Sequence, residues 1–172
     1  MTRKTIGDAF GGQLTTLEEQ RAIWAESLHE DVIWEGPTFE KPIQVVGRLA
    51  TSRFFELLLS GVPRFSTTLV QAYPTSDPDT MIIESYGGGP TKDGINNGRY
   101  TQRYFSMVTN KDGLAFRMRE YCNPFQTYAA FGKAHWEKSV DECMALNAPW
   151  PASQKPDPIT LPPTVKAGVG VG

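Results

Sequence analysis

The chain has 172 residues, 40% hydrophobic and 21% charged, which is enough for one buried core. Seventeen Lys and Arg against nineteen Asp and Glu give a net charge of −2, so no basic excess is present to hold a nucleic acid by counterion release. Two cysteines (Cys122, Cys143) and two histidines (His29, His135) make neither a disulfide framework nor a zinc pattern, and no apolar run reaches the roughly twenty residues of a membrane span.

The N-terminal residues lack the apolar stretch of a signal peptide, so a cytoplasmic protein with no membrane partner is expected. Residues 1–14 mix charge and glycine without a sustained period and read as an arm. A T-x-x-E capping box, Thr15 with Glu18 or Thr16 with Glu19, opens a helix in which Leu17, Trp24 and Leu28 recur at helical spacing to about Glu30. Val32–Trp34 and Ile43–Val46 are short β-prone runs parted by Gly36-Pro37. Leu49–Leu59 places Ala50, Phe54, Leu57 and Leu58 on one side of a second amphipathic helix.

From Arg64 the pattern changes to strands: Phe65–Tyr73, Thr80–Tyr86, Gly98–Thr109 and Leu114–Phe125, with a loop predicted over Gly87–Gly94. Four strands in meander order imply a curved antiparallel sheet. A short helix over Thr127–Phe131 and a longer one from about Ala134 to Leu146 follow. Residues 148–172 hold six of the thirteen prolines and read as a tail, extended unless a neighbouring subunit orders it. The domain is then 15–147, and the class is α+β with helices on one face of a bent sheet.

Three groups of residues carry a resemblance. They are Leu28-His-Glu-Asp-Val-Ile-Trp-Glu-Gly-Pro37, then Val46-Gly-Arg48 followed by Phe54-Phe55, then Asp112-Gly113 followed by Arg119-Glu120-Tyr121. Their order resembles the nuclear-transport-factor-2-like (SnoaL-like) superfamily, whose α+β cone encloses one pocket. The run Arg119-Glu-Tyr-Cys-Asn-Pro-Phe-Gln126, with Tyr100 twenty residues before Glu120, is similar to the phenazine-biosynthesis A/B-type group. The resemblance implies a homodimer through the sheet and acid–base chemistry on a small molecule, without cofactor or metal. The acid of ketosteroid isomerases would fall at Gly36 and the helical histidine of the phenazine group near Phe54, so neither of those reactions is expected. Gly87-Gly88-Gly89 is followed by Pro90 and a strand, which is no phosphate loop.

Glu120 is the first catalytic candidate, because the matching acid is catalytic in the resembled phenazine enzymes and a carboxylate at the pocket end of a strand can be tuned toward neutral pH. Its neighbours depend on the turn. A type I turn with a glycine bulge at Lys111-Asp-Gly113 sets Tyr104 opposite Glu120 and Tyr100 on the same face, whereas a two-residue turn brings Phe105, with Arg103 and Met107 alongside. Arg103 is a candidate for oxyanion stabilisation and Tyr86 for proton donation. His29, at the end of the first helix, is read as a base or a dipole partner. Trp34, Phe54 and Phe125 are assigned to the pocket wall with Tyr100.

The expected function is a cofactor-independent lyase acting by elimination or retro-aldol cleavage on a small hydroxylated aromatic or polycyclic substrate, such as a lignin-derived diarylpropane. The alternatives are an isomerase or cyclase of secondary metabolism, and a non-catalytic carrier of the same ligand.

Overall fold

The computed structural model describes residues 15–92 and 98–154; the arm expected over 1–14 and the tail beyond 154 lie outside the described residues. Strand β1 (Thr15–Thr16) leads into helix α1 (Leu17–Ser27). Of the two possible capping boxes the second forms: Thr16 Oγ1 accepts from Glu19 N at 3.3 Å, and the Glu19 carboxylate accepts from Thr16 N at 2.7 Å. Thr15 is instead paired with Phe65. Gln20, Ile23, Trp24 and Ser27, at i, i+3, i+4 and i+7, form the buried side of α1.

The helix stops at Ser27 and not at Glu30, because the chain from Leu28 is already a strand, β2 (Leu28–Gly36). Leu28 pairs with Ala115, and Ile33–Glu35 with Arg117–Arg119, in the one parallel pairing among the described strands. That partner lies far along the chain, so the polar run His29-Glu30-Asp31 hides the strand from a local reading. Strand β3 (Ile43–Val46) pairs antiparallel with β2, and helix α2 (Arg48–Gly61) buries Ala50, Thr51, Phe54 and Leu59.

Strands β4 (Arg64–Pro74), β5 (Thr80–Pro90), β6 (Arg99–Lys111) and β7 (Leu114–Tyr121) form the antiparallel meander of a curved, unclosed sheet of order β1-β4-β5-β6-β7-β2-β3. Alternate residues of β6 from Tyr100 to Val108 are buried and the others are not, the period of a strand with one face on a core. Helices α3 (Pro124–Phe131) and α4 (Lys133–Met144) contribute Ala130, Trp136 and Val140 to that core.

Strand β5 continues through Gly87–Gly89 to Pro90, where a loop was predicted. A Cβ at Gly87 would stand 2.6 Å from the Tyr104 ring and 2.7 Å from that of Phe65, and one at Gly88 or Gly89 would strike the backbone carbonyl of Tyr100 or Arg64. The glycines therefore serve close approach within a strand, not a turn.

The β6–β7 hairpin takes neither predicted register. Asp112 (φ 53°) and Gly113 (φ 73°) make a two-residue turn of the I′ kind, and Lys111 pairs with Leu114. A bulge then leaves Phe116 unmatched between Ala115, opposite Asn110, and Arg117, opposite Thr109. The tight turn alone would put the two faces out of step; the bulge restores them and sets Ser106 opposite Glu120. Tyr104 and Tyr100 thus share the inner face with Glu120.

Strand β7 ends at Tyr121, four residues short of Phe125, because Asn123 caps α3 by accepting from Phe125 N at 3.0 Å. After α4 the chain folds back. Ala148 N donates to Val46 O at 2.9 Å and Gln154 Nε2 to Phe116 O at 3.5 Å, so the first part of the expected tail covers the β3 edge and reaches β7. Among the described residues no helix is long and apolar enough to cross a membrane.

Candidate active site

A cavity of about 110 Å³ lies between α1, α2 and the inner face of β4–β7. Trp24, Phe54, Phe55, Leu58, Leu59, Phe65 and Met118 make its apolar wall; Gln20, Thr67, Ser85, Tyr104 and Glu120 are its polar members.

Glu120 accepts from Ser106 Oγ at 3.4 Å. Burial dominates over that weak bond and pushes the carboxyl pKa up to about 7. A native pKa above the unfolded value of about 4.3 means that the associated stability is complete below the unfolded value and is lost as the pH rises through 7. Glu120→Gln cannot ionise. It is expected to exceed wild type in stability at pH 8 by about 4 kcal/mol, at 1.36 kcal/mol per unit, and to match it near pH 4. Urea melts at the two pH values measure this, and equal stability at pH 8 would refute a buried ionised carboxylate.

Tyr104 stands one step along the inner face of β6. Its hydroxyl lies 3.2 Å from that of Tyr100, which in turn lies 3.5 Å from Thr127 Oγ1 on α3. Burial first, then the neighbouring Tyr100 and Glu120, holds the Tyr104 phenol well above its usual range, and burial pushes Tyr100 up to about 12. Both hydroxyls therefore stay protonated at any working pH. Gln102 ties the arrangement together: its Nε2 donates to Asn123 O at 2.8 Å and its Oε1 accepts from Asn123 N at 3.1 Å, which fixes the start of α3 against β6.

Of the residues singled out in the sequence, Glu120, Tyr104 and Phe54 line the cavity. Tyr100 stands behind Tyr104. Trp34 is buried with its ring centroid 4.2 Å from that of Phe54, so it supports the wall from behind and does not form it.

Arg103 and Tyr86 require correction. The register places them opposite each other on the outer face and leaves Ser85 and Tyr104 on the inner one. Arg103 pairs there with the Glu84 carboxylate and lies 5.1 Å from the Tyr86 ring centroid, where it cannot meet an oxyanion in the cavity. His29 belongs to β2, not to a helix end. Its Nδ1 accepts from Asp31 N at 3.1 Å and its ring meets Phe116 edge-on, away from the cavity. Phe125 sits in the first turn of α3 with 76% of its surface exposed, because the strand expected to carry it ends earlier.

The sequence reading missed Gln20, Thr67, Ser85 and most of the aromatic wall. For Gln20 a signal existed: a polar residue one turn before Trp24 on the buried side of α1. Among the described residues no three His, Cys, Asp or Glu side chains converge as metal ligands would. The Cys122 thiol, pushed up to about 12 by burial and the Glu120 charge, is held as an unreactive thiol.

No protein-family model matches the chain. YesE, an uncharacterised protein of Bacillus subtilis, is 29% identical over 119 residues, which is 67% of this chain and 79% of YesE. A solved phenazine biosynthesis-related protein from Pseudomonas aeruginosa is similar with a TM-score of 0.60 at 22% identity, over 73% of this chain and 76% of that one. A solved candidate isomerase from Bacillus subtilis is similar with a TM-score of 0.57 at 28% identity, over 67% of this chain and 84% of that one. SnoaL-like and other nuclear-transport-factor-2-like structures match as well. Among the described residues, the seven-stranded curved sheet, the four helices and the cavity between them thus have the nuclear-transport-factor-2-like fold that these solved structures share.

Proposed function

We propose that the protein is a cofactor-independent enzyme that moves a proton on a small cyclic carbonyl compound, in an isomerisation or cyclisation. The observation that carries this reading is the Glu120 carboxyl, poised near pH 7 in a largely apolar cavity with the Tyr104 hydroxyl beside it. As a carboxylate, Glu120 takes a proton from the carbon next to the carbonyl. The charge left on the carbonyl oxygen meets the Tyr104 hydroxyl, and Glu120 returns the proton at a second carbon, so nothing else is consumed. The Tyr100 hydroxyl, 3.2 Å from that of Tyr104 and 3.5 Å from Thr127 Oγ1, can give or accept; when it donates to Tyr104, the Tyr104 hydrogen is free to face the cavity.

The similarity to the candidate isomerase supports this reaction class. Cleavage of a diarylpropane would use the same two groups but needs room for two rings. The cavity, at about 110 Å³, is smaller than the ~150 Å³ apolar space that takes up one benzene, which disfavours two rings and requires the walls to give slightly even for one.

The outer sheet face supports the homodimer expected from the sequence. Exposed Tyr73, Tyr86, Phe105 and Tyr121 surround the Glu84–Arg103 pair there, an apolar patch of the kind that marks an interface. Sedimentation equilibrium should return twice the chain mass, and a monomer at micromolar concentration would overturn the dimer.

The reaction is tested by incubation with cyclohexenone and related single-ring ketones in D2O. Deuterium uptake by mass spectrometry, above the buffer rate and lost in Glu120→Gln, supports proton transfer. Binding without uptake across the panel would assign the cavity to a carrier.

A further inference from the structure

We propose that the carbonyl oxygen of Gln20 is a specificity determinant, selecting ligands that present a hydrogen-bond donor, a ring hydroxyl above all, to the α1 wall of the cavity. The inference deepens the single-ring reading of the same site and rests on it.

Gln20 is a buried polar residue between Leu17 and Trp24 on α1, and it lines the cavity. Its Nε2 donates to Thr15 Oγ1. The Thr15 hydroxyl has a single hydrogen, and that hydrogen is committed to the Phe65 carbonyl at 2.9 Å. Thr15 can therefore only accept from Gln20, and a flipped amide would set two acceptors against each other. The β1–β4 pairing, which places Thr15 opposite Phe65, thus fixes which way the amide of Gln20 faces.

The amide oxygen is left with no hydrogen-bond partner among the described residues. A ligand that displaces water from this carbonyl loses free energy unless it brings a donor in its place. The other neutral polar groups of the wall, Thr67, Ser85 and Tyr104, are hydroxyls that rotate to give or accept. Gln20 cannot adapt in that way, so its oxygen distinguishes a ligand with a donor from one without.

The test compares phenol with anisole, which keeps the ring and the oxygen but lacks the donor, by titration calorimetry. Wild type is expected to bind phenol about threefold to tenfold more tightly than anisole, the worth of one hydrogen bond. Gln20→Met should bind the two alike. Thr15→Val keeps Gln20 but frees its amide to turn, and it should lower the preference; it carries the test if Gln20→Met fails to fold. Glu120→Gln should keep the preference. Absence of a preference in wild type, its survival in Gln20→Met, or its loss in Glu120→Gln would each overturn the inference. Deuterium uptake with no phenol preference overturns this inference alone, whereas a phenol preference with no uptake overturns the reaction alone.

Discussion

Glu120→Gln is expected to slow deuterium uptake, or turnover of the true substrate, by about 10²- to 10⁴-fold while single-ring ligands still bind within a few-fold of wild type. The amide has almost the shape of the acid and can still accept from Ser106, so the cavity keeps its form. What it loses is the ability to hold and release a proton. With the wild-type pKa near 7, the rate of proton abstraction should rise through neutral pH and level off above it, and the variant should show no such rise. Retained uptake in the variant would remove Glu120 from the chemistry. A variant that binds nothing would give it a recognition role instead.

Glu35→Ala is expected to cost about 3–5 kcal/mol of folding stability, the usual result of removing one partner from a buried ion pair. Glu35 has no exposed surface. It accepts from Arg117 Nε at 2.9 Å and Nη2 at 3.1 Å, from Arg119 Nε at 3.1 Å and from Gln44 Nε2 at 3.1 Å. Burial alone would raise its pKa, but the bonds from the two guanidiniums outweigh it and hold the carboxyl below its ordinary value. The stability this contributes is present above the unfolded carboxylate pKa of about 4.3 and is lost as the pH falls through the lowered native value. Urea melts at pH 7 measure the loss, and a change under about 1 kcal/mol would mean that both arginines find solvent or new partners. Arg119 adjoins Glu120 on β7, so the strand that carries the acid is held in place from its outer face.

Much of the fold was legible because local signals agreed with the tertiary result. Thr16 and Glu19 marked a helix start, Ala50 and Phe54 a buried helix side, and Trp136, Val140 and Cys143 another. Glu120 was singled out through its Arg-Glu-Tyr motif, and it lines the cavity. Most of the failures share one cause, which is that pairing partners distant in the chain override local preference; Phe125 is the exception, displaced by the local Asn123 cap. β2 was cut short because Leu28 meets Ala115, and the Gly87–Gly89 run read as a loop because the approach of Arg64 and Tyr100 is invisible from the run itself. Arg103 and Tyr86 were assigned to the cavity because the face of a strand depends on register. The bulge at Phe116, which sets the faces of β7, has no signature in its neighbours' composition.

The parallel pairing of β2 with β7 also bears on how the chain reaches its native state during synthesis. Val32 and Trp34 leave the ribosome early, yet the strand that pairs with theirs is not made until most of the domain has been translated. Parallel pairing across so long a stretch of chain is slow, because its loop-closure entropy must be met before the contacts form. Until β7 arrives, β2 has an unpaired apolar edge, so the interval before the last strand is made is the one in which edge-to-edge association with other chains competes with folding.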